Sequence, residues 1–296
     1  MTAPDKTRRL RAEHLGSTLL PLMVEAERVA ATVAQGVHGR RRTGAGETFW
    51  QFRQYQPGDT PNMIDWRQSA KSDRVFIRER EWEAAQTVWF WCDRSPSMNY
   101  ASRKDITSKQ DRAILLSLAT AALLVRGGEY VSLMDADFSP ATGRAALLRL
   151  TSELEAESGF RANSLPPSAD LPRYADVIWI SDFLSPLAEV EARAKTMAAA
   201  GIRGTMLQIL DPAEVDLPFR GHVRFEGLEG EDGHSVGKAN SLRQPYAQRL
   251  QSRQTALAEL AGRLGWTFLT HQTDKTAQSA LMNLYQALSP GRGAAG

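Results

Sequence analysis

Between Val88 and Met98 the chain reads Val-Trp-Phe-Trp-Cys-Asp-Arg-Ser-Pro-Ser-Met. Asp93, Ser95 and Ser97 occupy alternate positions there. One carboxylate and two hydroxyls offer only oxygen donors, the hard ligands that Mg²⁺ prefers. In a looping backbone, residues two apart can converge on one point while Arg94 and Pro96 turn away. A Ser/Asp-rich turn capping the next helix would use the same residue types, so the motif alone does not decide. A second apolar run, Val177-Ile178-Trp179-Ile180, also ends in a polar pair, Ser181 and Asp182. Two strands that each deliver a carboxylate at their carboxyl ends fit the rule that open α/β sheets bind ligands there. Asp93, Ser95, Ser97 and Asp182 are therefore expected to share one divalent cation, Mg²⁺ or a similar ion.

The elements that must position these residues are readable from periodicity. An unbroken apolar run ending in a loop predicts a strand buried on both faces of a parallel sheet. Leu22, Ala26, Val29 and Val33 recur at helical spacing after Pro21, with Gly36 as the stop. A strong helix is expected over Lys109 to Arg126, ended by Gly127-Gly128, followed by a strand from Tyr130 to Met134 and a helix carrying Leu147, Leu148, Leu150 and Leu154. Strands are expected at Asp176 to Ser181, Thr205 to Leu210 and Trp266 to Leu269, and helices at Leu187 to Ala200, Tyr246 to Leu264 and Ala277 to Leu288. His222 to Phe225 and the Gly-rich Gly227 to Gly237 read as a hairpin. Strands alternating with helices give an α/β open, mostly parallel sheet flanked by helices. The expected domains are 1–85, an N-terminal helix with a small β-containing extension, and 86–290, the α/β domain with a hairpin insertion near 215–240. A disordered tail is expected over 291–296.

Composition narrows the function classes. Thirty-six basic against thirty-four acidic residues leave a net charge of +2, which argues against a dedicated nucleic-acid binder. The triplet Arg40, Arg41 and Arg42 reads as a solvated loop. A single cysteine, Cys92, excludes an intrachain disulfide, and its place in an apolar strand makes it a core residue. No apolar run is long enough to span a bilayer and no hydrophobic signal core is present, so a cytoplasmic protein is expected. Gly44 and Gly46 lack the Lys-Ser/Thr and the following helix of a nucleotide loop. Asp135 and Asp137 read as a polar turn, and Glu47, Asp59 and Asp65 with Arg53, Arg67, Arg74 and Arg78 as an ion-paired layer. None of the five histidines has an adjacent catalytic partner, and no Gly-x-Ser-x-Gly elbow occurs.

A more specific pattern runs through Gly44-x-Gly46-Glu47-x-Phe49, Arg53-x-Tyr55-x-Pro57-Gly58-Asp59, Ile64-Asp65-Trp66-Arg67-x-Ser69-Ala70, Arg78-Glu79 and Asp211-Pro212-Ala213-Glu214-x-Asp216-Leu217-Pro218-Phe219-x-Gly221. This ordered series resembles the DUF58 family, a von Willebrand factor A-like bacterial group often encoded beside MoxR-type AAA+ ATPases. The resemblance covers nearly the whole chain. It implies that Asp182 is the second metal-loop aspartate, that the site is a metal ion-dependent adhesion site, and that a MoxR-type ATPase is the co-worker, the pair acting on a client protein. In the von Willebrand factor A pattern a threonine completes the metal site, and this sequence departs from it: Gly159 to Asp170 holds Asn163 and Ser164 but no threonine.

The leading expectation is a protein-binding or adaptor module, not an enzyme, that uses a divalent cation to grip an acidic group of a partner. Two alternatives stand beside it: a metal-dependent hydrolase, which needs a general base near the ion, and a scaffold whose metal loop has decayed.

Overall fold

The computed structural model describes residues 23–34, 49–55, 64–71, 74–80, 86–156, 164–169, 171–228 and 233–288. The readings made above for residues 1–22, Gly36, His38, the Arg40 to Arg42 triplet, Gly44, Gly46, Glu47, Pro57-Gly58, Asp59, Asn163 and the 291–296 tail lie outside them.

The chain divides into two compact units, one of residues Arg40–Ala85 and one of Met1–Gly39 with Gln86–Gly296. The N-terminal helix α1 (residues 23–34) falls in the larger unit, with the sheet. The reason is its apolar stripe: Ala26, Val29, Ala30 and Val33 are buried in the same core as the helices of the sheet.

In the smaller unit, β1 (Phe49–Gln54) pairs antiparallel with β2 (Phe76–Arg80). Between them lies one turn of helix, α2 (Trp66–Ser69), whose first turn is capped by the Asp65 carboxylate accepting the Gln68 N–H at 2.9 Å.

In the larger unit, β3 (Thr87–Cys92) leads through a 3₁₀ turn at Pro96–Met98 into α3 (Lys109–Arg126) and then β4 (Tyr130–Leu133). After them come α4 (Gly143–Glu155), β5 (Asp176–Ser181), α5 (Leu187–Ala199), β6 (Arg203–Leu210) and a short α6 (Pro212–Asp216). A hairpin of β7 (Val223–Phe225) and β8 (His234–Val236) precedes α7 (Arg243–Arg263), β9 (Thr267–Gln272) and α8 (Ala277–Leu288). The five main strands form one parallel sheet in the order β4-β3-β5-β6-β9. This open α/β architecture is the one expected, and it is consistent with a von Willebrand factor A-like fold.

The unbroken apolar runs are explained by two cores. Val88, Phe90, Cys92, Ile178, Ile180, Leu207 and Ile209 face one side, where α1, α3, α4 and α8 pack. Trp91, Val177, Trp179 and Met206 face the other, under α5 and α7. Each fully buried large side chain contributes about 1.5–3 kcal/mol, so the two central strands supply much of the driving force. An antiparallel bridge between Val131 and Ala141 turns the chain back before α4, which then packs on α3. At β6, Gly204 lies against the Trp266 indole so closely that an added Cβ would meet the ring at 2.2 Å.

Candidate metal centre

The strand order sets the site. In sequence order the first strand of the sheet, β3, sends its chain to β4 on one side, while β5, β6 and β9 build outward on the other. The order reverses between β3 and β5, and at such a switch point the loops leaving the two strands diverge and open a crevice. Asp93 leaves β3 there, its N–H still bonded to the Ile180 carbonyl at 2.9 Å, and Asp182 leaves β5 beside it.

The four residues expected to converge do so. Ser97 Oγ donates to Asp182 Oδ2 at 2.7 Å, and Ser95 Oγ lies 3.1 Å from Ser97 Oγ. Asp93 Oδ1 accepts the Ser95 N–H at 2.9 Å, and its Oδ2 accepts the Ser181 hydroxyl at 2.7 Å. All five side chains are buried. Arg94 turns away as expected, donating to Asp135 Oδ2 at 2.9 Å and to the Glu153 carbonyl at 2.7 Å, and Asp135 sits in a turn. Ser164, the residue nearest in type to the missing threonine, has its hydroxyl bonded to that of Ser185. The loop after β5 is held by Arg253, which donates to the Phe183 carbonyl at 2.7 Å and to the Ser185 carbonyl. Phe183 takes a left-handed φ of 55° in this corner, a conformation that a bulky residue adopts only when its surroundings impose it.

Two further residues enter that sequence reasoning did not place. Lys109 is fully buried, and its Nζ donates to Asp182 Oδ2 at 2.9 Å and to Glu214 Oε1 at 2.6 Å. Glu214 is set by a capping box at the start of α6: its Oε2 accepts the Asp211 N–H at 2.8 Å while Asp211 Oδ1 accepts the Ala213 N–H at 2.7 Å. One signal for Lys109 was in the sequence. It is the first residue of α3, after the Ser108 cap, where the positive end of the helix dipole disfavours a cation unless carboxylates compensate.

The electrostatics follow from these contacts. Burial, and then the Asp182 charge, push the Asp93 carboxyl up to about 6. Burial alone would lower the Lys109 pKa, but Asp182 and Glu214 outweigh it and raise it. Burial raises Glu214 despite the ammonium beside it. With every group ionised, the three carboxylates Asp93, Asp182 and Glu214 face one ammonium, an excess of negative charge in a buried place. The donor set is thus suited in chemistry to a hard cation, with two carboxylates and two hydroxyls on the Asp93 side. On the other side of Asp182 the Lys109 head already takes part of that carboxylate. Among the described residues no three His, Cys, Asp or Glu side chains cluster as a metal group.

The single cysteine is the core residue it was expected to be: burial pushes the Cys92 thiol up to about 12. His271 is buried against Arg112, whose Nη1 lies 3.1 Å from Nε2, and burial followed by that guanidinium lowers it to about 4. Among the described residues no helix is long and apolar enough to cross a membrane.

Fold and site together define an open parallel α/β protein with a buried cluster of oxygen donors at the carboxyl end of its central strands. The chain belongs to the family described as protein of unknown function DUF58, whose model matches residues 51–256. It is 25% identical to the uncharacterized protein Rv1480 of Mycobacterium tuberculosis (strain ATCC 25618 / H37Rv), over 88% of this chain and 86% of that one. The uncharacterized protein Mb1516 of Mycobacterium bovis matches to the same extent. Among solved structures, the conserved hypothetical protein BatB from Bacteroides thetaiotaomicron is similar at a TM-score of 0.38 and 15% identity, over 68% of this chain and 98% of that chain. An aerotolerance-related membrane protein from Bacteroides fragilis NCTC 9343 is similar at 0.37 and 16%, over 69% and 98%.

Proposed function

We propose that this chain is a protein-binding module, not an enzyme, that holds a divalent cation such as Mg²⁺ with Asp93, Ser95, Ser97 and Asp182 and presents it to an acidic group of a partner. The observation that carries the reading is the meeting of the two strand-end loops, with Ser97 Oγ 2.7 Å from Asp182 Oδ2 and Ser95 Oγ 3.1 Å from Ser97 Oγ. The excess of buried carboxylate around them supports it, since a cation there relieves charge that Lys109 alone leaves unbalanced. When bound, the ion supplies a positive charge with a position open to an outside carboxylate. Ser95, Ser97 and the two aspartates orient that position, and Arg253 fixes the Phe183 to Ser185 corner beside it. By family resemblance the co-worker is a MoxR-type AAA+ ATPase acting in the cytoplasm on a client protein. The test is an equilibrium pull-down with a purified MoxR-type AAA+ ATPase. Retention is expected in Mg²⁺ and is expected to fall in EDTA and in Asp93→Ala; unchanged retention in both refutes cation-dependent docking.

One observation favours a second reading. The Lys109 ammonium at 2.9 Å from Asp182 Oδ2 is itself a resident cation, and a chain that relies on it would be a metal-independent scaffold. Calorimetry with Mg²⁺ and Mn²⁺ separates the two, because the scaffold reading requires no heat of binding at millimolar metal.

A further inference from the structure

Ser97, bonded to Asp182, and Glu214, bonded to Lys109, both also line a cavity of about 750 Å³ that runs from the strand ends toward the β7–β8 hairpin. Most of its exposed wall is apolar, with Glu214, Glu226 and Arg249 among the lining residues. Phe219 and Phe225 stand edge to face, 5.5 Å between ring centres, and Leu184, Leu228 and Leu242 line the rest while 52%, 50% and 38% exposed. Three large apolar side chains left open to water around one concavity mark a binding surface better than the same residues scattered. The volume falls within the range of sites that take a ligand of a few side chains.

The charges at its edge choose the occupant. Both Glu214 oxygens are engaged, by Lys109 and by the Asp211 N–H, and Glu226 lies 3.4 Å from Arg224. Arg249, which lines the cavity from α7, has no acidic partner among the described residues. The unmatched charge is therefore a guanidinium, which pairs best with a carboxylate in a two-pronged geometry.

We infer that this groove binds a short segment of a partner protein in which bulky apolar side chains flank an acidic one, the apolar groups filling the Phe219–Phe225–Leu242 trough and the carboxylate meeting Arg249. This rests on the protein-binding reading above and adds the partner's chemistry. The test uses the full chain and fluorescein-labelled octapeptides with cores Phe-Leu-Glu-Leu, Phe-Leu-Lys-Leu and Ser-Ser-Glu-Ser, followed by anisotropy in Mg²⁺ and in EDTA. Saturable binding is expected for the first, at least about tenfold tighter than for the other two. Arg249→Glu is expected to invert the order of the first two, and Leu242→Ser to weaken the first about tenfold; both positions are exposed, so the fold tolerates the change. Equal binding of the Glu and Lys peptides, no saturation, or an unchanged order in Arg249→Glu overturns the proposal. So does a dimer in sedimentation that Leu242→Ser dissolves, which gives the groove to a second copy. The two readings fail separately: peptide binding that survives EDTA and Asp93→Ala keeps the groove and sinks the cation, whereas Mg²⁺ heat without peptide binding does the reverse.

Discussion

Replacing Lys109 by Met keeps the length of the stem and removes the ammonium, leaving Asp182 and Glu214 without the charge between them. At 2.9 and 2.6 Å, and with an effective dielectric of about 20, the gross attraction to each carboxylate is about 6 kcal/mol. Most of that is offset by the cost of burying the charges, and breaking such a pair from one side destabilises by about 3–5 kcal/mol. For a domain of this size about 2–4 °C is lost per kcal/mol, so Lys109→Met is expected to melt at least about 6 °C below the parent in EDTA. The double variant Lys109→Met/Asp182→Asn is expected to recover part of the loss, because the orphaned carboxylate is gone. Under the cation reading, Mg²⁺ raises the melting point of Lys109→Met by more than it raises the parent's, since it meets more unbalanced charge. Scanning calorimetry in EDTA and in Mg²⁺ reads all of this. A single variant that melts within about 2 °C of the parent in EDTA refutes the view that Lys109 compensates buried carboxylates.

Asp93→Asn is expected to stabilise the metal-free protein at pH 7 by about 2–3 kcal/mol in urea unfolding. The folded-state pKa of Asp93, about 6, lies above its ordinary 3.8, so its contribution is complete below 3.8 and is lost as pH rises through 6. The same variant is expected to flatten the pH dependence across that window and to abolish any stabilisation by Mg²⁺; a parent whose stability does not fall between pH 4 and 7 relative to Asp93→Asn counts against the assignment. Gly204→Ala drives a Cβ to 2.2 Å from the Trp266 ring and is expected to cost about 1–3 kcal/mol, with a matching change in tryptophan fluorescence. Cys92, buried and with its thiol pushed up to about 12, is expected to resist a thiol reagent until the chain unfolds; stoichiometric labelling under native conditions contradicts the packing of β3.

The sheet was legible because burial on both faces leaves a sign in composition: the runs Val88 to Cys92 and Val177 to Ile180 have no polar alternation to confuse them with surface strands. The end of α3 was equally plain from the Gly127-Gly128 stop, and α8 carries an apolar stripe of Ala277, Ala280, Leu281 and Leu284. β9 was foreshortened to Trp266–Leu269, because Thr270, His271 and Gln272 read as polar; pairing with Gln208, Ile209 and Leu210 extends it regardless. The Asp93, Ser95, Ser97 and Asp182 grouping was legible from two motifs at two strand ends. Glu214 was not, and Lys109 showed only as a cation at the unfavourable end of a helix, since their pairing arises when the fold brings α3 and α6 together across more than a hundred residues.

The placement of α1 bears on how the chain is made. Its stripe is covered in the finished protein by Leu118, Ala122 and Leu147, which belong to helices that leave the ribosome later. About 75 residues separate the end of α1 from the start of α3, so at about 5–20 residues per second the nascent helix waits several seconds for a surface to cover it. During that interval Met23, Val29 and Val33 lack the surface that buries them in the finished protein, and the residues between 40 and 85 emerge in the meantime as an insertion in a host that is still incomplete.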